Sequence, residues 1–298
     1  METKGDVFMS KYTLVLFFVI LFSFLYSCKK LGDNDYLENW NNFETQLINK
    51  EKSFQSYEKF DSINDDIQYV TFQSGPHTLK GLLNTKNIDS VNKKPAIVYF
   101  HGGFALSLKE MERTKQFTDA GYIVFAPSYR GENGNPGYFE LFMGEVGDAK
   151  AAISWLSDQQ YVDQDKIYTF GWSVGGGISL ILSQHKDVPI KLGGSSAGVY
   201  DLDLIKSWAT EDDMIIFPYD YKNEMENYYR LPLYSLNKMV RPHYTYIGKD
   251  DGYSYVENLK DSLYPNFNTK LQLIPLEGNH VSSLNLAIAA FLKIIENE

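Results

Sequence analysis

Two patterns of apolar and polar positions take turns along this chain. Apolar runs of strand length fall at 67–72, 79–83, 96–100, 122–126, 166–170, 190–193, 243–247 and 271–275, bounded by Gly, Pro, Asn and Asp. Gly75-Pro76 reads as the turn between the first two. Beyond them the strands alternate with segments of helical period. Val146, Ala149, Ala152, Ile153 and Leu156 would share one helix face, as would Leu284, Ile288, Phe291, Leu292 and Ile295 near the end. Near-continuous apolar strands separated by helices predict an α/β fold: a mostly parallel, eight-stranded sheet with helices on both faces. Chemistry in such sheets collects at the C-terminal ends of the strands. The stretch 28–66 is rich in Asn, Asp, Glu and Lys, with a weak helical stripe through Leu37, Trp40, Phe43 and Leu47. It is expected to be a polar tether ending in a short docked helix, ahead of a catalytic domain at 67–298.

The start of the chain has a different pattern. Lys4 and Lys11 precede an unbroken apolar run at 14–26, followed by Ser27 and Cys28. The run is shorter than the roughly 20 residues of a membrane-spanning helix, and small Ser27 stands where a signal peptidase would cut. Leu25-Tyr26-Ser27-Cys28 resembles a bacterial lipobox, which implies a signal peptide at 1–27 and lipidation of Cys28, the single cysteine. The expected location is the bacterial cell envelope, on either membrane face, with an uncleaved anchor as the other reading.

The composition, 44% hydrophobic and 22% charged, is that of a globular enzyme. The formal net charge of −10, with basic residues scattered, argues against a nucleic-acid partner.

Candidate chemistry sits where the strands end. The run at 166–170 breaks into Gly171-Trp172-Ser173-Val174-Gly175 and then reads as a helix, the pattern of a nucleophile elbow. A Cβ at Gly171 or Gly175 would collide across so sharp a turn. His101-Gly102-Gly103-Phe104 follows the 96–100 strand. An N–H from Gly103 or Phe104 could join that of Val174 as an oxyanion hole, with His101 holding the loop. After the 243–247 strand comes Gly248-Lys249-Asp250-Asp251-Gly252. A G-x-x-D spacing selects Asp251 as the acid that orients a histidine, whereas aligning the next helix at Glu257 and Leu259 selects Asp250. The other of the two would cap a helix beginning near Tyr253. Of the five histidines, His280 alone follows the acid at a strand end, on a glycine-containing loop suited to a general base. Two rivals compete with this set. Gly194-Ser195-Ser196-Ala197-Gly198 is a second G-x-S-x-G, and Asp201 or Asp203 could supply the acid. A serine, a histidine and an aspartate in this order need no metal or organic cofactor.

These residues resemble the α/β-hydrolase superfamily, and within it the catalytic domain of prolyl-oligopeptidase-type serine peptidases and the related dienelactone hydrolases and esterases. The likeness covers 67–298 and rests on His101-Gly102-Gly103, on Ala126-Pro127-Ser128-Tyr129-Arg130-Gly131, on Asp148 through Trp155, on Val162 to Ile167 leading into Gly171-Trp172-Ser173-Val174-Gly175-Gly176, and on Leu231-Pro232-Leu233. It implies an acyl-transfer enzyme acting on a small-molecule or oligomeric acyl substrate, and a structural pairing of Arg130 with Asp148. It also implies a substrate cap at about 200–237, where tyrosines and Trp208 could stack on sugars or aryl esters or could pack the cap's own core. Oligopeptidases of this kind carry a β-propeller, for which the stretch before Ile67 is too short. The expectation is therefore an open site and an esterase of carboxylic esters, such as acyl groups on carbohydrate, ahead of a peptidase. A silent envelope-binding lipoprotein is the contrasting reading, and nothing in the sequence speaks to oligomeric state.

Overall fold

The computed structural model describes residues 36–55, 66–210, 215–251 and 270–298. The leader, Cys28 and the helix expected near Tyr253 lie outside them. The chain forms two compact units, residues 1–43 and 44–298. The described part of the first is a helix, α1 (Tyr36–Asn42), closed by the Phe43 N–H on the Trp40 carbonyl at 3.2 Å. The expected helical stripe therefore stops short of Leu47.

The second unit is built on one eight-stranded sheet: β1 (Ile67–Ser74), β2 (His77–Asn84), β3 (Lys94–Phe100), β4 (Ile123–Pro127), β5 (Val162–Trp172), β6 (Leu192–Ser196), β7 (His243–Gly248) and β8 (Leu271–Leu276). Their spatial order is β1-β2-β4-β3-β5-β6-β7-β8. β2 runs antiparallel to β1 and β4, and the remaining pairs are parallel. Helices α2 (Leu108–Arg113) and α3 (Lys115–Asp119) link β3 to β4, and α4 (Met143–Ser157) links β4 to β5. α5 (Val174–Leu182) follows β5 directly. Between β6 and β7 lie α6 (Leu202–Thr210), α7 (Glu224–Arg230) and a 3-10 segment (Pro232–Lys238), and α8 (Ser283–Ile295) closes the chain.

The central strands read as unbroken apolar runs because helices cover both faces, leaving no solvent side to favour polar alternation. Ala96 through Phe100 are all buried. One face packs on α3 and α8, where Phe117, Phe170 and Phe291 meet at ring distances of 5.2–6.3 Å. Each such aromatic contact adds about 0.5–1.5 kcal/mol beyond area burial. The other face holds Leu180, Tyr200, Leu236, Met239 and Ile247. Two strands differ from the expectation. β8, expected to be buried, lies at the sheet edge and is only partly covered. β6 is displaced to Leu192–Ser196, a run of Gly and Ser whose low intrinsic strand preference is overridden by pairing with β5 and β7. Its glycines are demanded by packing, since a Cβ at Gly194 would lie 2.6 Å from the Phe291 ring.

Residues 44–55 also depart from the tether expectation. They form an extended strap against the sheet domain. Leu47 bridges Tyr219, the Gln46 N–H donates to Glu226 at 2.9 Å, and the Phe139 N–H donates to the Glu51 carbonyl at 2.9 Å. No local periodicity marks such a segment, because its partners are about 50 to 180 residues away in sequence.

The buried ionisable groups set a pH profile. His243 is enclosed between the hydroxyls of Ser183 (2.9 Å) and Ser195 (2.8 Å), and burial pushes its pKa down to about 3. Burial, aided by Lys150, likewise takes His185 to about 3. Glu145, at the start of α4, moves the other way. Burial, reinforced by the neighbouring Glu140 carboxylate, pushes it up to about 8. The depressed histidines give stability that is full above their unfolded value of 6.5 and is lost as pH falls toward 3. The raised Glu145 gives stability that is full below 4.5 and is lost as pH rises through 8. Urea unfolding across pH 4–9 is expected to show maximal stability near pH 6.5. Glu145→Gln should stabilise the protein by about 3–5 kcal/mol at pH 9 and have little effect at pH 4.5. Equal effects at both pH values would refute the assignment.

Candidate active site

Ser173 occupies the single-residue turn between β5 and α5, with φ 54° and ψ −120°. A non-glycine residue in this region is strained, and the strain is held by what surrounds it. The Ser173 N–H donates to the Ser196 carbonyl at 3.0 Å, and its own carbonyl accepts from Gly176 and Val199. Only glycine fits beside it: a Cβ at Gly171 would lie 2.0 Å from the Gly175 carbonyl oxygen, and one at Gly175 would lie 2.1 Å from that of Phe100. The collision predicted across this turn is present at Gly171, whereas Gly175 is held to glycine by the backbone of β3, which lies against the turn. Ser173 is partly exposed, whereas Ser196 is fully buried inside β6. The second G-x-S-x-G is thus a buried strand and its following bend. Its Ser195 belongs to a sealed polar cluster with His243, Tyr200 and Thr245.

The loop after β3 lies against this turn. A Cβ on Gly102 would meet the Trp172 ring at 2.4 Å, and the Gly175 N–H donates to the His101 carbonyl at 3.1 Å. His101 itself is fully buried, bonded through Nε2 to Glu132 at 3.1 Å and packed on Tyr129. It holds the loop. Gly103 has φ +69°. The Phe104 N–H donates to Gln55 Oε1 at 2.7 Å, while among the described residues none takes the N–H of Gly103 or Val174.

The choice between Asp250 and Asp251 is a matter of tertiary geometry. β7 ends at Gly248, where a Cβ would strike the Gly278 carbonyl at 2.2 Å, so the two loops press together. The Asp250 N–H donates to that same carbonyl at 3.0 Å, and its side chain is exposed. Asp251 turns inward and is buried, and His280 Nδ1 donates to its Oδ2 at 3.1 Å. A carboxylate only accepts, so this contact puts the imidazole proton on Nδ1 and leaves Nε2 as the acceptor. Asn279 shapes the loop by accepting from the N–H groups of Val281 and Ser282. His280 also accepts Trp172 Nε1–H on its carbonyl at 3.0 Å, with the two rings 5.4 Å apart, which sets it beside the residue preceding Ser173. Asp201 instead caps α6 by accepting the Leu204 N–H, and Asp203 faces solvent near Lys206.

A cavity of about 520 Å³ opens beside the elbow, lined by Gly102, Gly103, Trp172, Gln55, Glu110 and Arg113 among others. The Arg113 guanidinium lies 4.2 Å over the Trp172 ring and is paired with Glu110. Neither Gln55 nor Arg113 was legible as a site residue in the sequence, since neither belongs to a motif or a periodic face.

The profile of the prolyl oligopeptidase family matches residues 109–253, which span the elbow and Asp251. The esterase Pf2001 of Pyrococcus furiosus superposes with a TM-score of 0.63 at 17% identity, covering 85% of this chain and 99% of that one. The chain has the α/β-hydrolase fold, and residues 109–253 resemble the prolyl oligopeptidase family. An uncharacterized peptidase, YtmA, of Bacillus subtilis is 31% identical over 120 residues, covering 40% of this chain and 42% of its relative. Dipeptidyl-peptidase 5 of Porphyromonas gingivalis is 25% identical over 195 residues, covering 62% and 28%. The chain thus aligns with less than half of the length of either curated relative.

Two further features of the chain bear on expectations from the sequence. Arg130 and Asp148 form a two-pronged ion pair, Nε to Oδ2 at 3.0 Å and a terminal nitrogen to Oδ1 at 2.8 Å, tying the loop after β4 to α4. The aromatic residues of the 200–237 excursion turn largely inward. Trp208 is buried edge-on against Phe104, and Tyr200, Tyr219 and Tyr229 are buried, Tyr200 in a core shared with Leu180 and Ile247, so this region packs onto the sheet body.

Proposed function

We propose that this chain is a serine hydrolase of carboxylic esters acting through a Ser173–His280–Asp251 triad. The observation that carries the proposal is a serine held at positive φ on a strand-to-helix turn, with an Asp251-oriented histidine beside the preceding residue. Ser173 Oγ attacks the acyl carbonyl carbon while its proton passes to His280 Nε2. The oxyanion is met by the N–H groups of Val174 and Gly103. Collapse breaks the ester C–O bond, the leaving alcohol takes the proton from His280, and water activated by the same imidazole releases the carboxylic acid.

The inward-turned aromatics withdraw the argument for sugar stacking. The reading is therefore stated for carboxylic esters as a class, with acylated carbohydrate as one substrate to try. A peptidase is the second reading, favoured by the family match and by the printed names of the curated relatives.

Fluorophosphonate labelling of the protein lacking residues 1–28 tests the proposal. One adduct on the Ser173 peptide is expected, together with turnover of p-nitrophenyl esters exceeding that of aminoacyl-arylamides. Faster arylamide cleavage would move the peptidase reading ahead. A folded protein that takes no label would leave the binding-lipoprotein reading instead. We also propose anchoring through lipidated Cys28: labelled palmitate should enter the wild type and not Cys28→Ala.

A further inference from the structure

A loop containing Gly102 and Gly103 has more conformational freedom than any other dipeptide could give it, yet an oxyanion donor works only when it is aimed before the charge develops. Nothing in the loop's own sequence supplies that rigidity. The strap at 44–55 does. Ser53 Oγ donates to the Phe104 carbonyl, Gln55 Oε1 accepts the Phe104 N–H at 2.7 Å, and the Phe54 ring packs on that of Phe104 at 4.7 Å. Two side chains on one short segment thus engage both backbone polar groups of a single residue, as a neighbouring strand would. The segment is itself fixed. The Ser53 N–H donates to the Gly131 carbonyl at 3.1 Å, and Lys52 Nζ donates to the carbonyls of Asn135 (2.9 Å) and Gly137 (2.6 Å).

We infer that Ser53 and Gln55 are positioning residues that clamp the oxyanion loop, commit the Phe104 N–H to the strap, and thereby make Gly103 the loop's donor to the reacting oxygen. The inference rests on the serine-hydrolase reading above and extends it to residues ahead of the first strand. The clamp acts on the orientation of the Gly102–Gly103 peptide, which is pressed against Trp172 next to Ser173. Its loss should weaken the transition state more than the bound ester, because the donor matters most when the carbonyl oxygen carries full charge.

The test uses the full chain in detergent with p-nitrophenyl butyrate as substrate and a trifluoromethyl ketone as a mimic of the tetrahedral oxyanion. Gln55→Leu keeps the bulk and removes the acceptor, and Ser53→Ala removes the donor. Each is expected to lower kcat by about 10-fold with KM unchanged within about twofold, and to weaken the ketone by the same factor as kcat/KM. Unchanged kcat and ketone affinity in both variants would overturn the clamp. So would a rise in kcat for Gln55→Leu, since Gln55 would then be blocking the loop. Failure of the underlying reading looks different: wild type itself would neither turn over the ester nor take a fluorophosphonate, and the clamp would fall with it.

Discussion

Ser173→Ala is expected to lower kcat for ester hydrolysis by about 10⁵–10⁶-fold while leaving the fold intact. The size follows from the role proposed: without Oγ there is no acyl-enzyme, and only binding and the oxyanion donors remain to assist attack by water. Alanine suits the folded state poorly at φ 54°, as serine does, so the change neither relieves nor worsens the turn. Ser196→Ala is the matched control. Ser196 is buried in β6 and contributes its carbonyl, not its hydroxyl, to the elbow, so its kcat should stay within about twofold of wild type. Stopped assays with p-nitrophenyl esters and circular dichroism check both. Residual activity of Ser173→Ala within tenfold of wild type would move the nucleophile elsewhere.

The second large effect separates two adjacent aspartates. Asp251→Asn should lower kcat by about 10⁴-fold, because an amide facing His280 Nδ1 can donate to it and so favours the tautomer whose Nε2 carries the proton and cannot act as base. Asp250→Asn should change kcat by less than about twofold, since that side chain faces solvent and only its backbone N–H holds the loop to Gly278. Steady-state kinetics on both variants decide the matter. The reverse pattern would mean that the loops around Gly248 and Gly278 rearrange when substrate binds.

Gly171, Ser173 and Gly175 were legible in the sequence because the G-x-S-x-G pattern between a strand and a helix is local; the collision that fixes Gly171 lies within the turn, while the one that fixes Gly175 comes from β3 and was not itself legible. The strands were legible for a related reason. Coverage on both faces writes a continuous apolar run into each central strand, as at 96–100, and α4 and α8 carry their periodic faces for the same cause. β6 was expected at 190–193, ahead of its place at Leu192–Ser196, because glycines and serines that make room for Phe291 look like a loop when read alone. The Asp250 or Asp251 choice was not legible, since neighbours on a loop differ only in which way the tertiary structure turns them. The strap at 44–55 has no signal of its own, being polar, irregular and satisfied by distant backbone.

The sequence by itself determined the α/β architecture, the elbow at Ser173, the glycine loop at 101–104 and the candidacy of His280, because sterics and burial act over a few residues. Only the tertiary structure decided that Asp251 rather than Asp250 meets His280, that Ser196 is sealed in a strand, that the aromatics of 200–237 face largely inward, and that Ser53 and Gln55 bond to the glycine loop at Phe104. Each of these depends on hydrogen bonds or packing between residues far apart along the chain, and no local pattern encodes such a meeting.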